Sequence, residues 1–220
     1  MNYWISVICS LSIGVPALLG WFYYNRLNRA FIPFLCLLTI GLINELISLV
    51  LALKGYSSYL NTNIFIIIEA LCLLWQFRRW HLWQQNKWLT AWMLAFLLVW
   101  FVEAYLLGFQ NVYYSFSIII FCFCITLMSI VLFCRRLFTI FTPLFKDSIF
   151  LICTGYIIYF TSAIILEALW LFELTHYPDI YHYAMGTLSV VNVITNFLYT
   201  YAIVCTPIRQ DYIFPSSLQV

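Results

Sequence analysis

Four glutamates stand inside runs of residues otherwise suited to hydrocarbon: Glu45, Glu69, Glu103 and Glu167. An acidic residue at the centre of a bilayer-spanning helix costs roughly 2.5–3.5 kcal/mol on insertion scales, so such residues usually face a bundle interior. No Lys or Arg lies within the same runs, and the nearest cation, Lys54, follows the outer end of the second. Carboxyls without basic mates in a low-dielectric medium either hold a proton or wait for a cationic ligand. Polar residues at helical spacing extend the set. His182, Ser189, Asn192, Asn196 and Tyr199 fall on or near one helix face, while Thr62, Glu69 and Gln76 recur every seven residues with Asn61 and Asn63 beside them. The two stripes are expected to face each other across a polar cavity. The candidate ligand-binding residues are therefore Glu45, Glu69, Glu103, Glu167, Asn61, Asn63, Asn192, Asn196, Ser189, Tyr199 and His182.

These side chains need elements to hold them, and composition says which kind. The chain has 220 residues, 65% hydrophobic and only 8% charged. A soluble domain is about 45–50% apolar, and a soluble surface is about 25–35% charged. A water-soluble globule, a nucleic-acid-binding protein and a separate soluble catalytic domain are all excluded. Seven apolar stretches, 4–24, 30–53, 59–77, 88–107, 113–134, 148–172 and 182–205, are separated by short polar breaks. Each approaches the roughly 20 residues that a helix needs to cross hydrocarbon with its backbone groups paired internally. Short connections make consecutive helices antiparallel neighbours. The expected fold is all-α: a polytopic membrane protein, an antiparallel bundle of seven transmembrane helices in the lipid bilayer. Residues 1–206 form one domain and 207–220 a short cytoplasmic tail.

Basic residues are retained on the cytoplasmic side of a membrane. Arg26, Arg29, Arg78, Arg79, Lys87, Arg135, Arg136, Lys146 and Arg209 fall in the first, third and fifth connections and the tail, whereas Lys54 is alone on the other side. This places the N-terminus outside and the C-terminus in the cytoplasm. The first stretch reads as a retained anchor, since a cleaved signal peptide carries its positive charges before the apolar run, not after it. Counting about 1.5 Å per residue from the cytoplasmic ends, Glu45 and Glu103 lie roughly 22 Å up, Glu167 higher still and Glu69 near the middle. The cavity is thus expected to open outward, walled by spans two, three, four, six and seven. Pro16, with Gly14 and Gly20, is a candidate kink in the first span.

Other features read as structural. Trp80, Trp83, Trp88, Tyr113, Tyr114, Tyr177, Tyr181 and Tyr183 gather at span ends, where aromatic rings anchor in the interface. The apolar connection 137–145 is too short to cross and is expected to lie in the cytoplasmic interface, with Arg135, Arg136 and Lys146 near lipid headgroups. The eight cysteines sit within spans or at their cytoplasmic ends and read as small packing residues. A retinal Schiff base would need a lysine in the seventh span, which has none. Neither an H-x3-H nor an H-E-x2-H spacing occurs, and glycine-rich phosphate loops are missing. No metal, cofactor or catalytic nucleophile is expected.

The run Ile43-Asn44-Glu45-Leu46-Ile47 closing in Lys54-Gly55, the stretch from Tyr59 to Glu69 ending in Arg78-Arg79, and the pair Asn192 and Asn196 resemble a group of uncharacterised seven-helix proteins of similar length from Bacteroidetes. That resemblance implies a bacterial inner-membrane location. Together with the asymmetric acidic cavity, the expectation is a receptor- or sensor-like protein. It would bind a small polar or cationic ligand, or protons, from outside and signal to a cytoplasmic or membrane partner. A proton- or cation-coupled transporter is the alternative, and an intramembrane enzyme a further one.

Overall fold

The computed structural model describes residues 3–80, 86–107, 115–139, 144–172 and 178–206, and these contain helices and no strand. The helices are α1 (Tyr3–Leu11), α2 (Gly14–Phe22), α3 (Ile32–Leu53), α4 (Tyr59–Arg79), α5 (Asn86–Leu107), α6 (Ser115–Thr139), α7 (Ser148–Leu171) and α8 (Pro178–Cys205). Among the described residues, six stretches are long and apolar enough to cross a membrane: Trp4–Phe22, Arg29–Leu53, Tyr59–Arg79, Phe116–Phe138, Ser148–Leu171 and Tyr183–Cys205. A shorter apolar stretch, Leu94–Leu107, belongs to α5. The protein is accordingly a multi-pass helical membrane protein, and its outer surface fits that solvent: Leu18, Phe22, Leu98, Phe101 and Phe197 all point away from the bundle.

The first apolar stretch is two helices, not one. Pro16 has no N–H to donate, and in a continuous helix its ring would strike the carbonyl of Ser12, four residues back. The chain therefore breaks at Ser12 and Ile13. Ser12, Ile13 and Val15 bond three residues back, to Cys9, Ser10 and Ser12, in place of four. Pro16 is left in the first turn of α2, where a donor is not needed. The kink expected from Pro16 is thus a tightened turn at Ser12 and Ile13, before Gly14, with Ile13 itself keeping right-handed helical angles.

Other helix ends follow local chemistry. Asn28 caps the one-turn 3-10 helix Arg29–Phe31, its Oδ1 accepting from the Ala30 N–H at 2.9 Å. Pro33 then falls in the first turn of α3. Asp147 caps α7, accepting from Ile149 N–H at 3.1 Å. Its other oxygen faces Arg136 Nε at 3.7 Å. Arg136 is consequently buried against the protein and not set among headgroups as the sequence led one to expect, because α6 runs on through it to Thr139. Burial, the larger effect, holds the Asp147 carboxyl above its ordinary 3.8, against Arg136 and the N–H groups of Ile149 and Phe150. Trp80 is likewise no interfacial anchor. It is fully buried, edge-on to Phe31 at 5.9 Å and Phe77 at 6.2 Å.

Packing is closest between α6 and α7 and between α7 and α8, followed by α3 with α4; α1 and α2 lie against α3 and α8, and α5 touches α4 and α6. An aromatic column joins α3, α4, α7 and α8 at the centre. Tyr156 is its hub, with ring centroids 6.3 Å from Phe34, 6.2 Å from Phe77, 5.9 Å from Phe160 and 5.8 Å from Tyr199. Gly155 makes room for it, since a methyl group there would meet the Tyr199 ring, its Cζ at 3.1 Å.

Candidate functional site

Above the aromatic column lies a cavity of about 80 Å3 between α1, α3, α4, α7 and α8 and the break that follows α1. Glu45 of α3 and Glu69 of α4 both line it. From α8 come Asn192, Thr195, Asn196 and Tyr199, from α7 Tyr156, Tyr159 and Phe160, and from the interrupted first span Ser10 and Ile13. Ser10 stands beside the Glu45 side chain. Ile13 packs closely on α3 here: Gly41 has no side chain, and a Cβ there would lie 2.7 Å from the Ile13 side chain.

The break is itself tied to α8. Asn196 Nδ2 donates to Ser12 Oγ at 2.8 Å and to Asn192 Oδ1 at 3.2 Å, and the Ser12 hydroxyl donates to the Cys9 carbonyl at 2.6 Å. Asn196 therefore stands both at the cavity and at the interruption. A polar residue between membrane helices commonly serves as this kind of bond. Of the cavity's hydroxyls, that of Tyr156 stands out. The residue is 2% exposed and its oxygen has no hydrogen-bond partner among the described residues. A buried hydroxyl without a partner costs about 1–3 kcal/mol, and this oxygen is closed off from the hollow itself. No hydrogen bond or ion pair from the described residues reaches the Glu69 carboxyl either.

The remaining candidates lie elsewhere, and the expected wall needs two corrections. Glu103 of α5 does not reach the cavity. Its carboxylate accepts from the backbone N–H groups of Phe116 at 3.1 Å and Ser117 at 2.8 Å, and from the Ser117 hydroxyl. It thereby caps α6, whose first N–H groups have no partner of their own and carry the positive end of the helix dipole. The fourth span thus drops out of the wall, and the first takes its place. Glu167 is buried on α7 but does not line the cavity; it is seven residues beyond Phe160, about 10 Å along the helix.

Asn61 donates to Asn44 Oδ1 at 2.8 Å and Ser48 Oγ at 3.0 Å, pinning α4 to α3. Asn63 is buried on α4 away from the cavity. Ser189 pairs with Ser6 at 3.2 Å and returns its hydroxyl to the Met185 carbonyl at 2.9 Å, joining α8 to α1. Only the Glu69 part of the α4 stripe meets α8 in the cavity. Thr62 bonds back to its own helix at Ser58, and Gln76 donates to the Ala30 carbonyl at 2.9 Å. The His182 side chain lies outside the described residues, as do His81 and His176.

Ser10, Tyr156, Tyr159 and Thr195 enter the site without having been singled out from sequence. A signal existed for the tyrosines: Tyr156 and Tyr159 sit in the middle of the stretch Ser148–Leu171, where an interfacial anchor has no business. Among the described residues no three of His, Cys, Asp and Glu come together, and the acidic residues lining the cavity are Glu45 and Glu69, with the weaker acids Tyr156, Tyr159 and Tyr199 beside them. No family model, no curated protein and no solved structure matches the chain.

Proposed function

We propose that this protein is a receptor-like membrane protein that takes a small cationic ligand, or a proton, into the cavity between Glu45 and Glu69 and reports its occupancy by shifting helices. Its support is one juxtaposition: the carboxyl-bearing residues Glu45 and Glu69, from neighbouring helices, line a single cavity. A carboxylate in a low-dielectric hollow lacks solvent, and a cation relieves that penalty. In the same proposal α5 crosses as well, giving seven spans with the N-terminus outside and the C-terminus in the cytoplasm, as the distribution of Lys and Arg requires. Glu45 stands eight residues, about 12 Å, from the Leu53 end of α3, so the cavity is nearer the outer face. The basic cytoplasmic connections offer a surface to a signalling partner. Membership of the Bacteroidetes group, with a place in the inner membrane, belongs to the same proposal.

The test is thermal unfolding of the purified chain in nanodiscs with ammonium, methylammonium, guanidinium, sodium or potassium chloride at constant ionic strength. A ligand at 100 times its Kd adds about 2.7 kcal/mol to stability. At least one of these cations is expected to raise the midpoint in a saturable way, and the effect should vanish when Glu45 and Glu69 are both replaced by Gln. If every cation is inert, or if the double variant responds as the wild type does, the acidic cavity has no such role.

One observation favours cation-coupled transport as a second reading. Interrupted helices beside a site near the bilayer midplane are a recurrent device of secondary transporters, and the break at Ser12 and Ile13 borders this cavity. Uptake of labelled methylammonium into proteoliposomes, absent in the double variant, would decide for it.

A further inference from the structure

Between α4, α5 and α6 lies a second hollow, of about 60 Å3, and its lining residues are all apolar. Trp92, Ala95 and Ile120 line it and are themselves exposed, so it is a cleft that opens outward to the surrounding lipid. Loose packing leaves it there. α5 meets α4 and α6 far less closely than α6 meets α7, and two of the walls carry only the small side chains of Ala70 and Ala95. An unfilled slot of this kind forfeits dispersion contacts along its walls. On α6 the lining runs from Ile120 to Met128, eight residues or about 12 Å along the helix, which suits an extended hydrocarbon chain.

The cleft continues into charge at one end. On α4, Ala70 and Leu74 line it, and Arg78 is the next residue at the same four-residue spacing, about 6 Å further on. On α6, Cys124 and Met128 line it, and Arg135 follows eleven and seven residues later on the same face, about 10 Å past Met128. Short connections make α5 antiparallel to both neighbours, so α4 and α6 finish on one side of the bundle and bring the two arginines to that side. The Arg78 side chain is exposed and has no hydrogen-bond or ion-pair partner among the described residues. A guanidinium fork matches a phosphate with paired N–H groups, and basic pockets between membrane helices recognise anionic headgroups.

We propose that this cleft seats one acyl chain of an anionic phospholipid whose phosphate is held by Arg78 and Arg135. The site is separate from the acidic cavity and stands or falls independently of it.

The experiment is native mass spectrometry of the full chain released from micelles that contain equimolar dioleoyl phosphatidylglycerol, dioleoyl phosphatidylcholine and oleate. A basic residue beside an anionic lipid is worth about fivefold in affinity, so phosphatidylglycerol is expected to be retained at least about tenfold over phosphatidylcholine. Arg78→Gln, an exposed change, should reduce that preference about fivefold, and the further change Arg135→Gln should abolish it. Ala95→Phe puts a ring into the cleft and should lower retention of phosphatidylglycerol with both arginines in place. Should the double variant misfold, Arg78→Gln and Ala95→Phe each still decide. Equal retention of the two phospholipids, or a preference unmoved by Arg78→Gln, overturns the headgroup assignment. Retention of oleate in place of phosphatidylglycerol overturns recognition of phosphate, and retention untouched by Ala95→Phe overturns the cleft as the seat of the chain.

Discussion

Glu103 and Glu69 look alike on paper, each a lone acid in an apolar run, and their surroundings give them different work. Glu103 holds two backbone N–H groups and a hydroxyl at the start of α6. Glu103→Gln loses the charge and one acceptor, so it is expected to cost about 1–2 kcal/mol of stability while leaving cation binding intact. Chemical denaturation beside calorimetry would check both, and a variant that binds ten times more weakly would return Glu103 to the site. Asp147 makes a prediction about pH. Because its carboxyl lies above the ordinary 3.8 in the folded protein, the folded state holds that proton more tightly than the unfolded chain. The stabilisation is fully present below 3.8 and is lost as pH rises through the raised value. Asp147→Asn cannot titrate. The gap in unfolding midpoint between it and the wild type should therefore vary with pH above 3.8 and flatten towards neutrality; a constant gap would show that burial does not govern this group. Charge in an apolar run was visible in the sequence, but its destination was not. The partners of Glu103 lie thirteen and fourteen residues further on in another helix, and no spacing rule reaches across such a connection. Tyr156 was missed for the opposite reason, since tyrosines here are so numerous at span ends that one in mid-span did not separate from them.

At the level of elements, the apolar runs marked the helices well because length and hydropathy act locally. The interruption of the first was half legible: Pro16 announces a fault, and the proline rule sets it four residues earlier, at Ser12. What the sequence could not show is that Asn196 of α8 would clasp the loose turn. Pro16→Ala restores the missing donor and removes the clash, so α1 and α2 are expected to fuse. Ser10 and Ile13 would then leave the cavity, and cation affinity should fall at least tenfold with no loss of thermal stability. Unchanged affinity would mean that the fault does not shape the site. On α7, Gly155→Ala pushes the Tyr199 ring out of its place beside Tyr156. Overpacking of this kind costs about 1–3 kcal/mol, seen as a lowered unfolding midpoint, and a midpoint equal to the wild type would show the column to be looser than its geometry.

For the whole molecule, class and approximate span positions follow from composition, since so few charged residues cannot cover a soluble surface. Convergence of side chains is a property of the bundle, and there foresight was partial: Glu45, Glu69, Asn192, Asn196 and Tyr199 come together while Glu103, Glu167, Asn61, Asn63 and Ser189 do not. Orientation is open to direct measurement. With the eight native cysteines replaced, a cysteine at Ser57 is expected to react with an impermeant maleimide on intact cells, and one at Asn28 only after permeabilisation; the reverse pattern would invert the topology. The interrupted first span has one more consequence. A single rod meets a thinner or thicker membrane by tilting as a unit, whereas the tightened turn at Ser12 and Ile13 gives this span a point at which to bend. Since that joint borders the cavity, the acyl-chain length of the host lipid should tune how tightly the cavity holds its guest, making bilayer thickness an input alongside the ligand.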